Sequence, residues 1–473
     1  MKKFTKILLI GCLLVMVSCN NWLDVDPKSQ VKDKDLFASE MGFKEALSGV
    51  YSLMTKEGLY GKELTFGWLG VLGQEWTSVP YNYEDDQKYD FENAASEVRI
   101  DSVWTGLYNA IANANKLLKE LEGKENLFSG DNYSIIKGEV LALRAYLHFD
   151  LLRIFGASCA VGMERIAIPY VTEYAPTIFP QEKVGDFVGK VLKDLQDAAK
   201  CLENDPILTG RTVSEIDDNG YLMNRQVHLN YYAVKGLMAR VYLYKGDYAN
   251  AEVCAKEVIG SGCFEWVKQE NLTNESVADL TFSTEHLFAL NIVTLGNIVD
   301  KYLDGGNNSF ALEESRLSEY YGSSYDYRYL YLFKTGVGMS NTLRYLKKYD
   351  QLESVSWAQS YRNKLPLICL PEMYYILAEC RYHSSGDVLE PLNEVCRHRG
   401  VADLSEADLS AFETLLLAEY RKEVIGGGQL FFQYKRLNRS VVPGTDVDLA
   451  GEGRYVILMP KEELENPGWV SNQ

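Results

Sequence analysis

Residues 233–259 read Ala-Val-Lys-Gly-Leu-Met-Ala-Arg-Val-Tyr-Leu-Tyr-Lys-Gly-Asp-Tyr-Ala-Asn-Ala-Glu-Val-Cys-Ala-Lys-Glu-Val-Ile, and this stretch decides the fold class. Two helical periods meet at Gly246, a residue that leaves a helix in the left-handed conformation at little cost. Ala239, Ala251 and Ala255 are small, while Tyr242 and Tyr248 flank the break. Small residues let two antiparallel helices approach closely, and the aromatic rings fill the wedge between them. That is the steric logic of a tetratricopeptide-like helix pair. Weaker echoes occur at Leu141-Ala142 with Tyr146, and at Leu377-Ala378-Glu379 with Tyr382 and Gly386. The echoes are too diverged for a regular solenoid. The expected fold is therefore mainly α, with degenerate tetratricopeptide-like helix pairs forming a scaffold.

The helical period extends on both sides of this pair. Phe43–Met54 and Trp104–Leu121 read as helices, and so do 184–203, 228–245 and 248–260. The clearest case is 135–155, where Leu141, Ala145, His148, Leu152 and Phe155 share a face and Gly156 follows as a stop. On that face His148 reads as a hydrogen-bonded core histidine. Two stretches break the period. Residues 56–99 carry Trp68, Trp76, Tyr81, Tyr83 and Tyr89, and 265–369 are rich in Gly, Ser, Asn and Tyr. The run Tyr320-Tyr321-Gly-Ser-Ser-Tyr325-Asp-Tyr327-Arg-Tyr329-Leu-Tyr331 is dense in aromatics and compatible with a packed strand pair. The expectation is an irregular lobe of loops and short strands, mainly 56–99 and 265–369, on a scaffold made mainly of 36–55, 100–260 and 370–440. Loops held by a rigid scaffold are where binding residues gather.

The N-terminus sets the compartment. Lys2, Lys3 and Lys6 precede a short apolar run, Ile7–Val17, and Ser18 leads into Cys19. The run is too short to span a bilayer core of roughly 30 Å, so 1–18 read as a signal peptide. A small residue followed by cysteine matches a bacterial lipobox, although Met16 stands where leucine is usual. Cys19 is then the lipidation site, and 19–35, polar and containing Pro27, reads as a tether. Two or more acyl chains anchor a protein stably, at about 0.8 kcal/mol per buried methylene. A formal net charge of −18 repels nucleic acid and anionic lipid, so no nucleic acid is expected as a partner.

Beyond Cys12 and Cys19, the cysteines are Cys159, Cys201, Cys254, Cys263, Cys369, Cys380 and Cys396, an odd set at irregular spacing. That is not a disulfide framework. Cys380 with His383 and Cys396 with His398 have a zinc-like spacing. Cys380, however, also completes an apolar helical stripe with Met373, Ile376 and Leu377. No metal and no cofactor is expected.

Several blocks together resemble the SusD/RagB family of outer-membrane nutrient-binding lipoproteins. They stand here as Cys19-Asn-Asn-Trp-Leu-Asp24-Val-Asp-Pro27; Trp104 with Tyr108, Ile111 and Asn115; and Leu143-Arg144-Ala145-Tyr146 with Phe149-Asp150-Leu151, Arg153 and Phe155-Gly156. Ala239–Leu243 with Gly246-Asp247-Tyr248 and Ala251, Pro371–Tyr374 with Ala378-Glu379, and Glu419 with Arg421 and Glu423 continue the set. Pro460, Glu463, Asn466 and Pro467 close it. One block departs. The family's usual Glu-Gly-x-Arg-x-x-Asp-x-x-Arg appears as Gly427-Gly428-Gln429 with Gln433 and Arg436, without its acidic members. The resemblance implies the helix-pair fold, a place in the outer membrane held by the lipid anchor, and capping of a SusC-like TonB-dependent transporter. It implies no catalysis, and ligands that are oligosaccharides or, alternatively, oligopeptides.

Flat aromatic faces suit the apolar C–H faces of sugar rings, whose hydroxyls need partners at the edge. Trp76, Tyr81 and Tyr83 from the early loop are candidate ligand-binding residues. Trp266, Tyr325, Tyr327 and Trp357 join them from the irregular lobe. The site is expected where the 68–89 loop meets the 265–360 lobe. Arg328, two residues after Asp326, reads as half of a structural pair and is left out of the site. A surface hydrolase would need paired carboxylates, a zinc motif or a nucleophile elbow. Glu84-Asp85-Asp86 and Glu313-Glu314 supply acids, but exposed acidic runs are usually solvated. A binding protein, not an enzyme, is the expectation; a pure interaction scaffold is the remaining alternative.

Overall fold

The computed structural model describes residues 34–274, 277–306, 308–336, 342–351 and 361–472. The signal peptide, Cys19, most of the tether and Trp357 lie outside the described residues. Among those that are described, no helix is long and apolar enough to cross a membrane.

The fold is mainly helical. The helices used below are α1 (Glu40–Met54), α2 (Ala94–Leu121), α3 (Asn132–Phe155), α4 (Val184–Cys201), α5 (Tyr231–Lys245) and α6 (Tyr248–Ile259), followed by α7 (Glu314–Tyr321), α8 (Leu370–His383), α9 (Leu389–His398), α10 (Phe412–Glu423) and α11 (Leu430–Arg436). Local chemistry sets their ends. Asn93 caps α2 by accepting from the backbone N–H of Ala95 and Ser96. Asn230 caps α5, Gly246 ends it at φ +80°, and Asp247 at once caps α6. The quoted stretch is therefore a helix pair with a turn at Gly246. Packing runs in a row, from α2 to α3, α4, α5 and α6 and on to α8 and α9.

α3 is the hub. Nearly every side chain from Ile135 to Phe155 is buried, which is how a helix surrounded on all sides reads. Most of its charged residues are tied to partners on neighbouring elements. Arg144 grips Asp194 of α4 with two bonds of 2.7 Å. Glu139 accepts from Arg225 at 2.7 Å. His148 is fully buried, stacked on Tyr170 at 4.0 Å. The backbone N–H of Val171 donates to its Nε2 at 2.9 Å, so Nδ1 carries the proton and donates to the Arg144 carbonyl at 2.8 Å. Burial pushes its pKa down to about 3, so it stays neutral. The core-histidine reading holds.

The segments between helices carry three small antiparallel sheets. β1 (Ile166–Pro169) pairs with β2 (Gln181–Lys183), and β3 (His286–Asn291) pairs with β7 (Lys364–Cys369). β6 (Leu343–Leu346) lies between β4 (Leu312–Glu313) and β5 (Phe333–Thr335). The Tyr-rich run is not a strand pair. Tyr320 and Tyr321 end α7, Gly322 breaks the chain at φ +63°, and Asp326 caps a one-turn helix over Tyr327–Tyr331. A capping aspartate and a left-handed glycine outweigh the β preference of tyrosine there.

Arg328 and Asp326 are a buried pair, joined by bonds of 2.9 and 2.7 Å and extended to Glu419 and Glu423. The glutamines of the departed block are structural. Gln429 accepts from Arg153, and Gln433, at the position of the block's aspartate, accepts from Arg436, so one amide stands where an acid would otherwise receive that bond. Cys380 and Cys396 are buried and free, and His383 and His398 stack on two different rings, Tyr248 and Trp266.

Candidate functional site

The early loop and the irregular lobe do meet. The N–H groups of Thr77 and Ser78 both reach the Ala311 carbonyl at 3.0 Å, and the N–H of Glu313 donates to Thr77 Oγ1 at 2.7 Å. Beside this seam opens a cleft of about 520 Å³. Its volume lies within the roughly 300–1,000 Å³ of small-molecule sites. Gln74, Trp76, Thr77, Gln87 and Lys88 form one wall, and Glu313, Arg316 and Tyr320 form the second. A turn at 444–447 forms the third.

The walls are stiff where they touch the core. Gln74 donates to the Gln87 carbonyl at 2.8 Å, and Gln87 donates back to the Trp76 carbonyl at 2.8 Å. Arg421 binds the Gln74 carbonyl at 2.9 Å and the Pro443 carbonyl at 3.2 Å, holding two walls together. Its guanidinium also lies 4.3 Å from the centre of the Tyr320 ring. Gly444 sits at φ +107°, and a Cβ there would come within 3.0 Å of Gln74, so the third wall needs glycine to approach this closely. The half-buried Tyr320 ring therefore lines the cleft in a fixed position. Around it the side chains of Lys88, Glu313 and Asp446 are exposed and make no hydrogen bond or ion pair with the described residues. Such groups meet only water until a ligand arrives.

The sequence candidates divide. Trp76 borders the cleft, but only 2% of it is exposed, and its Nε1 donates to the Phe66 carbonyl at 2.7 Å. Tyr83 is 1% exposed; its hydroxyl donates to Glu63 at 2.8 Å, and Arg99 lies 3.9 Å over its ring. Burial raises that phenol far above its ordinary range. Both rings are core residues that cannot offer a face to a ligand, which corrects the reading of them as stacking platforms. Tyr81 is exposed on the same loop, and Tyr325 is exposed beyond α7; neither lines the cleft. Trp266 stacks on His398 at 4.7 Å, and the N–H of Tyr327 binds the Arg399 carbonyl at 2.9 Å. Those two share the surroundings of Arg399 and lie outside the cleft as well. Trp357 and Cys19 fall outside the described residues.

A helix-pair scaffold carrying an irregular lobe with a polar, aromatic-flanked cleft defines a fold class. Comparison with known proteins names it. A family model described as SusD-like, "Starch-binding associating with outer membrane", matches residues 21–243. Among curated relatives, SusD-like protein P38 of Formosa agariphila is 25% identical over 269 residues, 56% of this chain and 47% of that protein. The match thus spans about half of that relative's length. SusD-like protein P25 of the same organism is 25% identical over 149 residues, 29% of this chain and 28% of that protein. A SusD superfamily protein from Bacteroides thetaiotaomicron shares the fold with a TM-score of 0.74 at 21% identity, over 92% of this chain and all of that one. Surface glycan-binding protein A from Bacteroides fluxus does so with a TM-score of 0.68 at 17% identity, over 91% of this chain and all of that one. Residues 21–243 thus match the SusD-like family model, and the fold of most of the chain is the one seen in these structures.

Proposed function

We propose that this protein is a surface lipoprotein, anchored through Cys19, that binds oligosaccharides in the cleft between 74–88, α7 and 444–447. It hands them to a SusC-like TonB-dependent transporter and does not cleave them. The observation that carries the reading is the cleft itself. A fixed tyrosine ring lines it, and the uncommitted side chains of Lys88, Glu313 and Asp446 surround it. A ring face packs on sugar C–H groups, and the free donors and acceptors serve the hydroxyls. The names of a starch-binding family and of a glycan-binding structural relative support the same ligand class.

A receptor that passes its ligand on should hold it at micromolar strength or weaker, roughly −8 kcal/mol. The test has two parts. Oligosaccharides titrated calorimetrically should bind at that level without release of shorter products. Purification from native membranes in mild detergent should bring along a large barrel over an interface well above ~1,000 Å². Product release would make the protein a hydrolase. Recovery as a free monomer would remove the transporter from the account.

A further inference from the structure

A second cleft, of about 400 Å³, lies between α2, the 169–179 segment and the C-terminal tail. We infer that it is a separate binding site for an uncharged saccharide. Four rings, those of Trp104, Tyr108, Phe179 and Trp469, line it, and each polar ring atom is turned into the protein. Trp104 Nε1 donates to Glu463 at 3.0 Å, the Tyr108 hydroxyl donates to the Pro169 carbonyl at 2.9 Å, and Trp469 Nε1 donates to the Phe179 carbonyl at 3.1 Å. What remains for a ligand is ring carbon, and Tyr108, Phe179 and Trp469 are each only partly buried.

Charge and main-chain chemistry narrow the occupant. Glu463 is the one charged residue in the lining, and both its oxygens are occupied, by Trp104 and by the Asn466 amide. In a chain of net charge −18, that carboxylate still repels an anionic ligand and the lining offers no cation to hold one, which matches an uncharged saccharide. A peptide that binds by adding a strand would need a free edge. Here the Pro169 and Val171 carbonyls are taken by Tyr108 and Asn115, and the Val171 N–H by His148. Thr105 and Thr177 are exposed at the rim, and their hydroxyls make no hydrogen bond to the described residues. Bare ring faces ringed by neutral hydrogen-bonding groups are the complement of a sugar ring, with an apolar face and hydroxyls at its edge.

The ligand class rests on the saccharide reading above; the location does not, because the two clefts share no lining residue. The test uses the full chain with maltohexaose, cellohexaose and xylohexaose as probes and hexaglycine as the peptide control. In a Tyr320→Ala/Glu313→Ala background, which disables the first cleft, at least one hexasaccharide should still bind. Adding Asn109→Arg, an exposed position on α2 that intrudes on the second cleft, should weaken it at least about fivefold, as should Trp469→Ala. Should Trp469→Ala lower the melting temperature sharply, the Asn109→Arg result decides. The inference is overturned if no hexasaccharide binds the first-cleft variant, if Asn109→Arg binds as its parent does, or if hexaglycine is the probe it loses. If the first-cleft variant binds as wild type does and Asn109→Arg abolishes binding, the first cleft fails as the site and the second stands.

Discussion

Arg240 in the scaffold and Lys88 in the cleft are both cations, and their surroundings are opposite. Arg240 is buried between helices, meeting both oxygens of Glu372 at 2.6 Å and the Leu367 carbonyl at 2.8 Å. Lys88 is exposed, and its ammonium makes no hydrogen bond or ion pair with the described residues. The contrast repeats across the molecule. Arg144 with Asp194, Arg436 with Glu379, and Arg399 with Glu285 and Glu423 are matched pairs inside the scaffold or at its border. Glu313 and Asp446 are unmatched at the cleft. A buried charge must be paired to be tolerated, so its bonding is spent on the fold. An exposed charge without a partner keeps its bonding capacity for a ligand. Structural residues and those proposed to meet a ligand are separated by that criterion more sharply than by residue type.

The criterion is broken most easily at Arg399, which is wholly buried between two glutamates. Arg399→Ala would leave Glu285 without its cation and Glu423 with only Arg328, and is expected to cost about 3–5 kcal/mol, read by chemical denaturation. A loss under about 1 kcal/mol would mean that buried pairing does not hold this border together.

Trp76 sharpens the comparison because it touches both regions. Trp76→Ala should destabilise by about 3 kcal/mol or more, as expected for emptying a packed aromatic site. If stability were unchanged and oligosaccharide binding fell, Trp76 would be a ligand residue after all.

Glu75, beside Trp76, offers a pH test. It is buried, its Oε1 has no partner, and its Oε2 accepts from the Gly426 N–H at 2.7 Å. Burial raises its pKa to about 8, with the Gly426 N–H, Arg421 and Lys348 opposing only in part. The folded state therefore holds a proton that the unfolded state releases above its ordinary pKa of 4.5. Stability contributed by this group is full below that value and is lost as pH rises towards 8, with a slope approaching about 1.4 kcal/mol per pH unit. Glu75→Gln should flatten the stability profile over that window. A profile that keeps its slope in the variant would assign it to other groups.

How much of this could be read from the sequence follows from range. The α5–α6 pair was legible because its signals are local, with alanines at helical spacing, Gly246 at the break and Asp247 capping the next helix. His148 was legible from the face it shares. Trp76 and Tyr83 were not, because an aromatic in a loop looks the same whether free or pinned. Their pins are Phe66 for one and Glu63 and Arg99 for the other, distant in sequence and without any period. The meeting of the early loop with the irregular lobe was foreseen, while the third wall at 444–447 was missed. A short polar turn carries no hydrophobic pattern, and only Pro443-Gly444 hinted at a tight bend.

The central claim is that exposed, uncommitted groups around a fixed ring bind the ligand, and Tyr320 tests it most directly. Tyr320→Ala removes a half-buried ring that lines the cleft and leaves the hydrogen bonds of Arg421 to Gln74 and Pro443 in place. Calorimetric titration with the best-binding hexasaccharide, beside a thermal melt of the same sample, should show affinity reduced about fivefold to tenfold at the first cleft and a melting temperature within about 2 °C of wild type. Unchanged affinity at that cleft, or a melting temperature that falls with it, would contradict the account.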